Sequence, residues 1–202
     1  MDSLETTLLQ ANERRFHSAP APLKSHGPDH HWRVYQHALK LASVIDAPYD
    51  KVVLAGATLL HDMAAYYPDK TGDAYHDFDD KIAKEVLHEI GFPADKIQPV
   101  LYAIAHHGSD PKYRTTTEPI EVTLLRDADK LDVFGPVGVA RIIMARTLKG
   151  DTLAEIIDDF WTRGHLERKW ESITLDQARK LAKDDYAYSR AFFGQLAAEL
   201  TS

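Results

Sequence analysis

Lys51-Val52-Val53-Leu54-Ala55-Gly56-Ala57-Thr58-Leu59-Leu60-His61-Asp62 is the stretch that decides the fold class. From Val52 to Leu60 it carries no charge and is apolar on every side, which is the mark of a helix buried at the centre of a bundle rather than lying on its surface. The spacing predicts a helix over 51–66. A central helix needs others around it, so the flanking sequence is read for helical faces.

Upstream, Val34, Ala38, Leu41, Ala42 and Ile45 recur at i, i+4, i+7, i+8 and i+11, the period of one buried helical face. That helix is expected from about Asp29, read as its N-cap, to about Asp46. Downstream, helices are expected at about 76–90, closed by Gly91, and at 94–107, then at 118–132, 136–149, 151–163 and 175–200. Alternating β-branched runs closed by Asn-Gly or Asp-Gly turns are absent. The expected fold is all-α, a bundle of about eight helices. Residues 1–202 read as a single domain, with a core at about 25–150 and a helical C-terminal extension at about 151–202. The segments 66–75 and 108–117 are the loops long enough to shape a site.

Composition narrows the function classes. The chain has 202 residues with 44% hydrophobic and 27% charged side chains, which excludes disordered and collagen-like readings. With 24 Lys and Arg against 31 Asp and Glu, a net charge of −7 argues against broad nucleic-acid binding. No apolar run approaches a membrane span and the N-terminus lacks a signal segment, so a soluble, cytoplasmic protein is expected. Cysteine is absent, which removes disulfides, thiolate ligands and thiol nucleophiles, and leaves His, Asp and Glu for any metal. Eleven histidines are the compositional anomaly.

The chemistry gathers in three places. His61-Asp62 closes the most apolar helix, where an isolated carboxylate costs several kcal/mol unless it is compensated. Taken alone, the pair also fits a capped helix end or a simple His–Asp hydrogen bond. His26-Gly27-Pro28-Asp29-His30-His31-Trp32-Arg33-Val34 places His30 and Arg33 one turn apart on one helical face. Leu124-Leu125-Arg126-Asp127-Ala128-Asp129-Lys130-Leu131-Asp132 sets three carboxylates and two cations on a helix that is otherwise apolar. Asp127 and Asp129 point about 160° apart there, so they serve different surroundings.

In order and context these motifs resemble the HD superfamily of metal-dependent phosphohydrolases. The pattern of that superfamily is a His, a His-Asp pair and a distant Asp. The likeness covers about residues 25–200 and is closest to single-domain bacterial HD nucleotide pyrophosphohydrolases; Gly135-Pro136-Val137-Gly138-Val139-Ala140-Arg141 and the helical tail share in it. It implies that His30, His61, Asp62 and Asp129 hold one divalent ion. An N/O shell without sulfur suits Mn, Mg, Fe, Co or Ni. Such an ion lowers the pKa of a bound water and polarises a phosphate, so the chain needs no Ser or Cys nucleophile.

The implied substrate is a small phosphorylated molecule, a nucleotide above all. From Lys112 to Lys149 seven basic residues outnumber five acidic ones, a local excess in an acidic chain. Arg33 and Lys130 are the candidates for phosphate contact, each beside an implied ligand, and pairing with neighbouring carboxylates is the competing role. His106 and His107 end an apolar helix. They are read either as complements to its dipole, or, for His106, as a proton donor or a support to a ligand. A second metal would need ligands from His76, His88, His106 or His107, of which only the last two sit at an apolar helix end near loops, and one ion per chain is expected. His17, His76, His88 and His165 are expected at the surface, and His31 and His37 in packing or on a helix surface.

One feature departs from HD nucleoside-monophosphate phosphatases, which commonly carry a Glu three residues after the pair. Here the chain reads His61-Asp62-Met63-Ala64-Ala65. The general base is left to Asp127 or to metal-activated hydroxide. Two other readings compete: a di-iron HD-type oxygenase, and a non-catalytic nucleotide-binding sensor.

Overall fold

A computed structural model describes residues 3–67, 69, 73–108 and 117–201. Among these it contains ten α-helices and no strand, so the all-α expectation holds. The backbone clusters into two units, 1–128 and 129–202, with the boundary inside the last turn of a helix.

The first unit is built around α3 (Lys51–Leu60), which packs against α1 (Ser3–Ser18), α2 (Pro28–Ile45) and α5 (Ala94–His106). From Val53 to Leu60 every residue of α3 is buried. Asp50 caps it, its carboxylate accepting from Val52 N–H at 2.9 Å and Val53 N–H at 3.1 Å, two of the donors a helix start leaves without intrahelical partners. Gly56 lets α5 approach, since a Cβ there would lie 2.8 Å from Val100 Cγ2 and 3.1 Å from Phe92 Cζ. α4 (Asp73–Glu89) packs on α5. The first nine residues of α6 (Ile120–Leu131) complete the unit.

Two boundaries differ from the sequence reading. α2 starts at Pro28 with Gly27 as its cap, so Asp29 lies in the first turn and is not the N-cap. Proline at the first helical position has its φ pre-set and no N–H to satisfy, which favours the earlier start. The helix expected over 51–66 stops at Leu60, and residues Met63–Tyr66 form a separate 3₁₀ turn. The break is at Asp62, whose φ of 55° and ψ of 20° lie in the left-handed region. Asp tolerates that conformation better than most residues, though at a cost.

The second unit holds α7 (Gly135–Leu148), α8 (Leu153–Ile157), α9 (His165–Glu171) and α10 (Asp176–Thr201), which packs on the other three. A capping box between Thr152 and Glu155 starts α8, and a π-helical turn, Asp158–Thr162, replaces the second half of the helix expected at 151–163. Phe160 stacks on Phe193 and Trp170 on Tyr186. α1 and α9 are the helices beyond the expected eight. α1 buries a mixed set, Glu5, Leu8, Ala11 and Asn12, so its sequence shows little periodic contrast. Among the described residues no helix is long and apolar enough to cross a membrane.

Candidate metal centre

The end of α3 carries the first ligand. His61 terminates the helix, with its N–H on the Ala57 carbonyl and its side chain fully buried. Its Nδ1 lies 2.8 Å from the Thr58 carbonyl, which only accepts, so Nδ1 donates there and Nε2 is the atom left to ligate. His30, 1% exposed in the first turn of α2, faces it with ring centroids 5.2 Å apart. The Nε2 atoms of both rings are buried and form no hydrogen bond. Asp129 lies in the last turn of α6, one residue past the unit boundary on the same continuous helix. One donor atom from each of His30, His61 and Asp129 lies within 4.8 Å of the other two. Two imidazoles and a carboxylate are a fitting donor set for a divalent ion.

His31 braces this arrangement. Its Nδ1 lies 3.0 Å from the Gly27 carbonyl at the start of α2 and its Nε2 2.5 Å from the His61 carbonyl at the end of α3, and a neutral ring donates to one of the two at a time. Burial, reinforced by His61 and His30 nearby, holds its pKa well below the ordinary histidine value. The neighbouring Tyr66 hydroxyl donates to Asn12 at 2.6 Å, and Asn12 in turn donates to the Leu59 carbonyl at 2.6 Å.

Asp62, the fourth implied ligand, follows His61 directly. Its carboxylate lies 3.7 Å from His107 Nε2, and the His107 ring sits 5.4 Å from that of His61. Its backbone is held by a residue the sequence reading passed over. Asp79, 4% exposed on α4, accepts the N–H of Asp62 at 3.0 Å and that of Ala64 at 2.9 Å. Burial, followed by repulsion from Asp62, pushes the Asp79 carboxyl up to about 7. The signal was present in the sequence: Asp79 lies in register with Ile82, Ala83, Val86 and Leu87, so a carboxylate occupies the buried face of its helix.

The remaining sequence candidates lie on α2, α5 and α6. Arg33 is half-buried one turn after His30. Lys130 is 2% exposed and its ammonium donates to the Ser172 carbonyl at 2.5 Å. Asp127 is fully buried on α6. His106 bonds the Tyr102 carbonyl through Nδ1 at 2.8 Å and stacks on the Tyr102 ring. His17, His76 and His88 are exposed, whereas His165 is half-buried and stacked on Phe160. Much of the basic excess is spent internally: Arg126 donates to Glu118 and to the His106 carbonyl, Arg141 to Asp132, and Arg146 to Asp151 and Asp159. Lys112 and Arg114, with residues 68, 70–72 and the rest of 109–116 in the two expected loops, lie outside the described residues.

Residues 29–133 match the family model of the HD domain. No curated protein matches the chain. Among solved structures, a Lactobacillus plantarum protein is 22% identical over 100% of this chain and 98% of its own, with a TM-score of 0.75. An HD-superfamily hydrolase from Bacillus thuringiensis is 21% identical over 100% of this chain and 98% of its own, with a TM-score of 0.68. Bacillus subtilis YpgQ in complex with ADP is 20% identical over 98% of this chain and 97% of its own, with a TM-score of 0.65. At these identities the likeness is one of fold.

Proposed function

Because the chain belongs to the HD domain family, whose model covers more than half of it, we propose that it is a metal-dependent phosphohydrolase acting on a small phosphorylated molecule, a nucleotide above all. The observation that carries this reading is the gathering of His30, His61 and Asp129 around one point. A divalent ion held there would supply Lewis acidity to a phosphate oxygen and acidify a bound water.

The chain's own groups supply the rest. The Thr58 carbonyl fixes the His61 tautomer so that Nε2 faces the donor group, as carbonyl partners commonly do for ligating histidines. Arg33, one turn from His30, is the proposed contact for a phosphate oxygen, a task suited to a guanidinium fork. Lys130, whose ammonium gives one of its three N–H groups to the Ser172 carbonyl, is the second proposed phosphate contact. Asp62 is the proposed fourth ligand and, beside His107, is placed to take or relay a proton, while Asp127 is the proposed general base alongside metal-activated hydroxide. A nucleotide substrate is favoured by the ADP held in YpgQ, whose fold is similar.

The test is a matrix of ions against substrates. Protein stripped with chelator is reloaded with Mn, Mg, Fe, Co or Ni and assayed for phosphate or pyrophosphate release from nucleoside mono-, di- and triphosphates and from inorganic tripolyphosphate. Activity that returns with at least one ion and is lost in Asp129→Asn supports the reading. No ion-dependent release from any substrate overturns it in favour of a non-catalytic nucleotide sensor.

A further inference from the structure

The first unit contains a cavity of about 1040 Å³ that the proposed reaction does not use. It is lined by α4 and α5, and its chemistry-bearing residues are His76, Asp77, Asp80, Gln98, Tyr102 and His106. Its volume is at the upper end of the range for small-molecule sites, ample for a nucleoside.

Two pairs of sequence neighbours tie this cavity to the end of α3. On α5, His106 lines the cavity while His107 lies 3.7 Å from Asp62. On α4, Asp80 lines the cavity while Asp79 accepts the Asp62 and Ala64 N–H groups. Consecutive Cα atoms are about 3.8 Å apart, so on both walls one residue separates the cavity lining from the groups holding Asp62. Neighbours on a helix face different ways, so this adjacency places the cavity close to the donor group, and a ligand with its phosphate at His30 and His61 and its other end in the cavity is part of the proposal.

The lining specifies what that end is. Tyr102 and His106 stack with centroids 4.0 Å apart and planes 17° from parallel, and the His106 Nδ1 bond to the Tyr102 carbonyl fixes the pair. Tyr102 stays 37% exposed, an aromatic surface presented inside a concavity. Planar rings of any base stack on such a surface. Around it, the Asp77 and Asp80 carboxylates only accept hydrogen bonds, so they favour a ring edge that donates N–H, as a carboxylate does when it reads a base amino group. A simple cation would also suit aromatic faces and carboxylates, but it has no second end for the donor group beyond the cavity wall.

We propose that this cavity is a nucleobase subsite, in which Tyr102 and His106 form the stacking surface and Asp77 and Asp80 select bases bearing an exocyclic amino group, adenine, guanine or cytosine, over uracil. For the position of the phosphate it rests on the phosphohydrolase reading; the binding of the base does not.

The experiment has two arms. In the first, saturation-transfer NMR is recorded on the full chain with free adenosine, guanosine, cytidine, uridine and methyl riboside, none of which carries phosphate. Base protons of the amino-bearing nucleosides should receive saturation, methyl riboside should not, and the signal should fall at least fivefold in Tyr102→Leu and persist in Tyr102→Phe. Asp77→Asn with Asp80→Asn should abolish the preference over uridine. Unchanged spectra in Tyr102→Leu, at an unchanged melting temperature, overturn the subsite.

The second arm compares kcat/KM for ATP with that for inorganic tripolyphosphate. Tyr102→Leu should lower the ratio about tenfold, the scale of one lost base stack. An equal fall on both substrates overturns the inference while leaving the hydrolase reading intact. If the native protein cleaves neither, the comparison is made with whichever nucleotide of the panel it does cleave, and if it cleaves none the hydrolase reading falls and the NMR arm alone decides the subsite.

Discussion

The Asp79 carboxylate holds the backbone of Asp62, accepting its N–H at 3.0 Å while its second oxygen takes the Ala64 N–H at 2.9 Å. One buried side chain on α4 thereby fixes the left-handed turn that ends α3, where Asp62 has a φ of 55°. In Asp79→Ala both N–H groups lose their acceptor, and each such loss costs about 1–3 kcal/mol. We expect a total destabilisation of about 2–4 kcal/mol, read by urea unfolding in chelator so that metal does not contribute. Asp79→Asn keeps one accepting oxygen and should lose about half as much. A loss under about 0.5 kcal/mol in Asp79→Ala, the range of ordinary surface substitutions, would show that the turn holds without this support.

The donor group should bind metal and transmit that binding to stability. Protein saturated with Mn or a similar ion should melt higher than the same protein in chelator, because a ligand held only by the folded state stabilises it by about 2.7 kcal/mol at a hundred times its Kd. Asp129→Asn should lose most of its metal by elemental analysis and abolish the difference in melting temperature. Retained metal in that variant and in His61→Ala would remove these residues from the ligand set.

Gly56 is predicted to matter through space rather than backbone freedom. A methyl there meets Val100 Cγ2 at 2.8 Å, so Gly56→Ala should destabilise by about 1–2 kcal/mol, overpacking outweighing the better helix propensity of Ala. Val100→Ala made together with it should recover part of the loss, which a double-mutant cycle measures. Simple additivity of the two changes would place the clash elsewhere.

Asp50 links stability to acid pH. The hydrogen bond from Lys96 Nζ at 2.8 Å, with the Val53 and Val52 N–H groups, holds its carboxyl below the ordinary value of 3.8. A carboxyl with a depressed folded pKa contributes stability that is present above the unfolded value and lost as pH falls through the folded one. Asp50→Ala should therefore lower stability at pH 7 by about 1 kcal/mol, chiefly through the lost cap, since the pair with Lys96 is well exposed to solvent. The difference from the native protein should shrink on titration below pH 3.8, as measured by thermal melts across pH 2–7. A constant difference across that range would assign the effect to shape rather than charge.

Much of the fold was legible because burial writes itself into composition and period. The uninterrupted apolar run of α3 announces a central helix, and the i, i+4, i+7 pattern of α2 announces the face laid against it. Where the pattern was diluted the reading failed. α1 turns Glu5 and Asn12 inward beside Leu8 and Ala11, and their polarity hides the stripe. Asp79 was missed for the same reason: a lone carboxylate on a buried face reads as noise until its two N–H donors are seen.

The sequence by itself determined the helical class, the central position of α3 and the order of the His30, His61-Asp62 and Asp129 motifs, since each of these is carried by residue type and local spacing. Only the tertiary structure decided which of those side chains meet. His30, His61 and Asp129 come from three helices and converge, and Asp62, joined to His61 by one peptide bond and itself left-handed, brings its carboxylate to 3.7 Å from His107, which no helical period encodes. Lys130, adjacent to Asp129, is likewise drawn to the Ser172 carbonyl. Neighbours on a helix diverge by about 100° and a left-handed residue breaks even that rule, so proximity in sequence fixes neither direction nor partner.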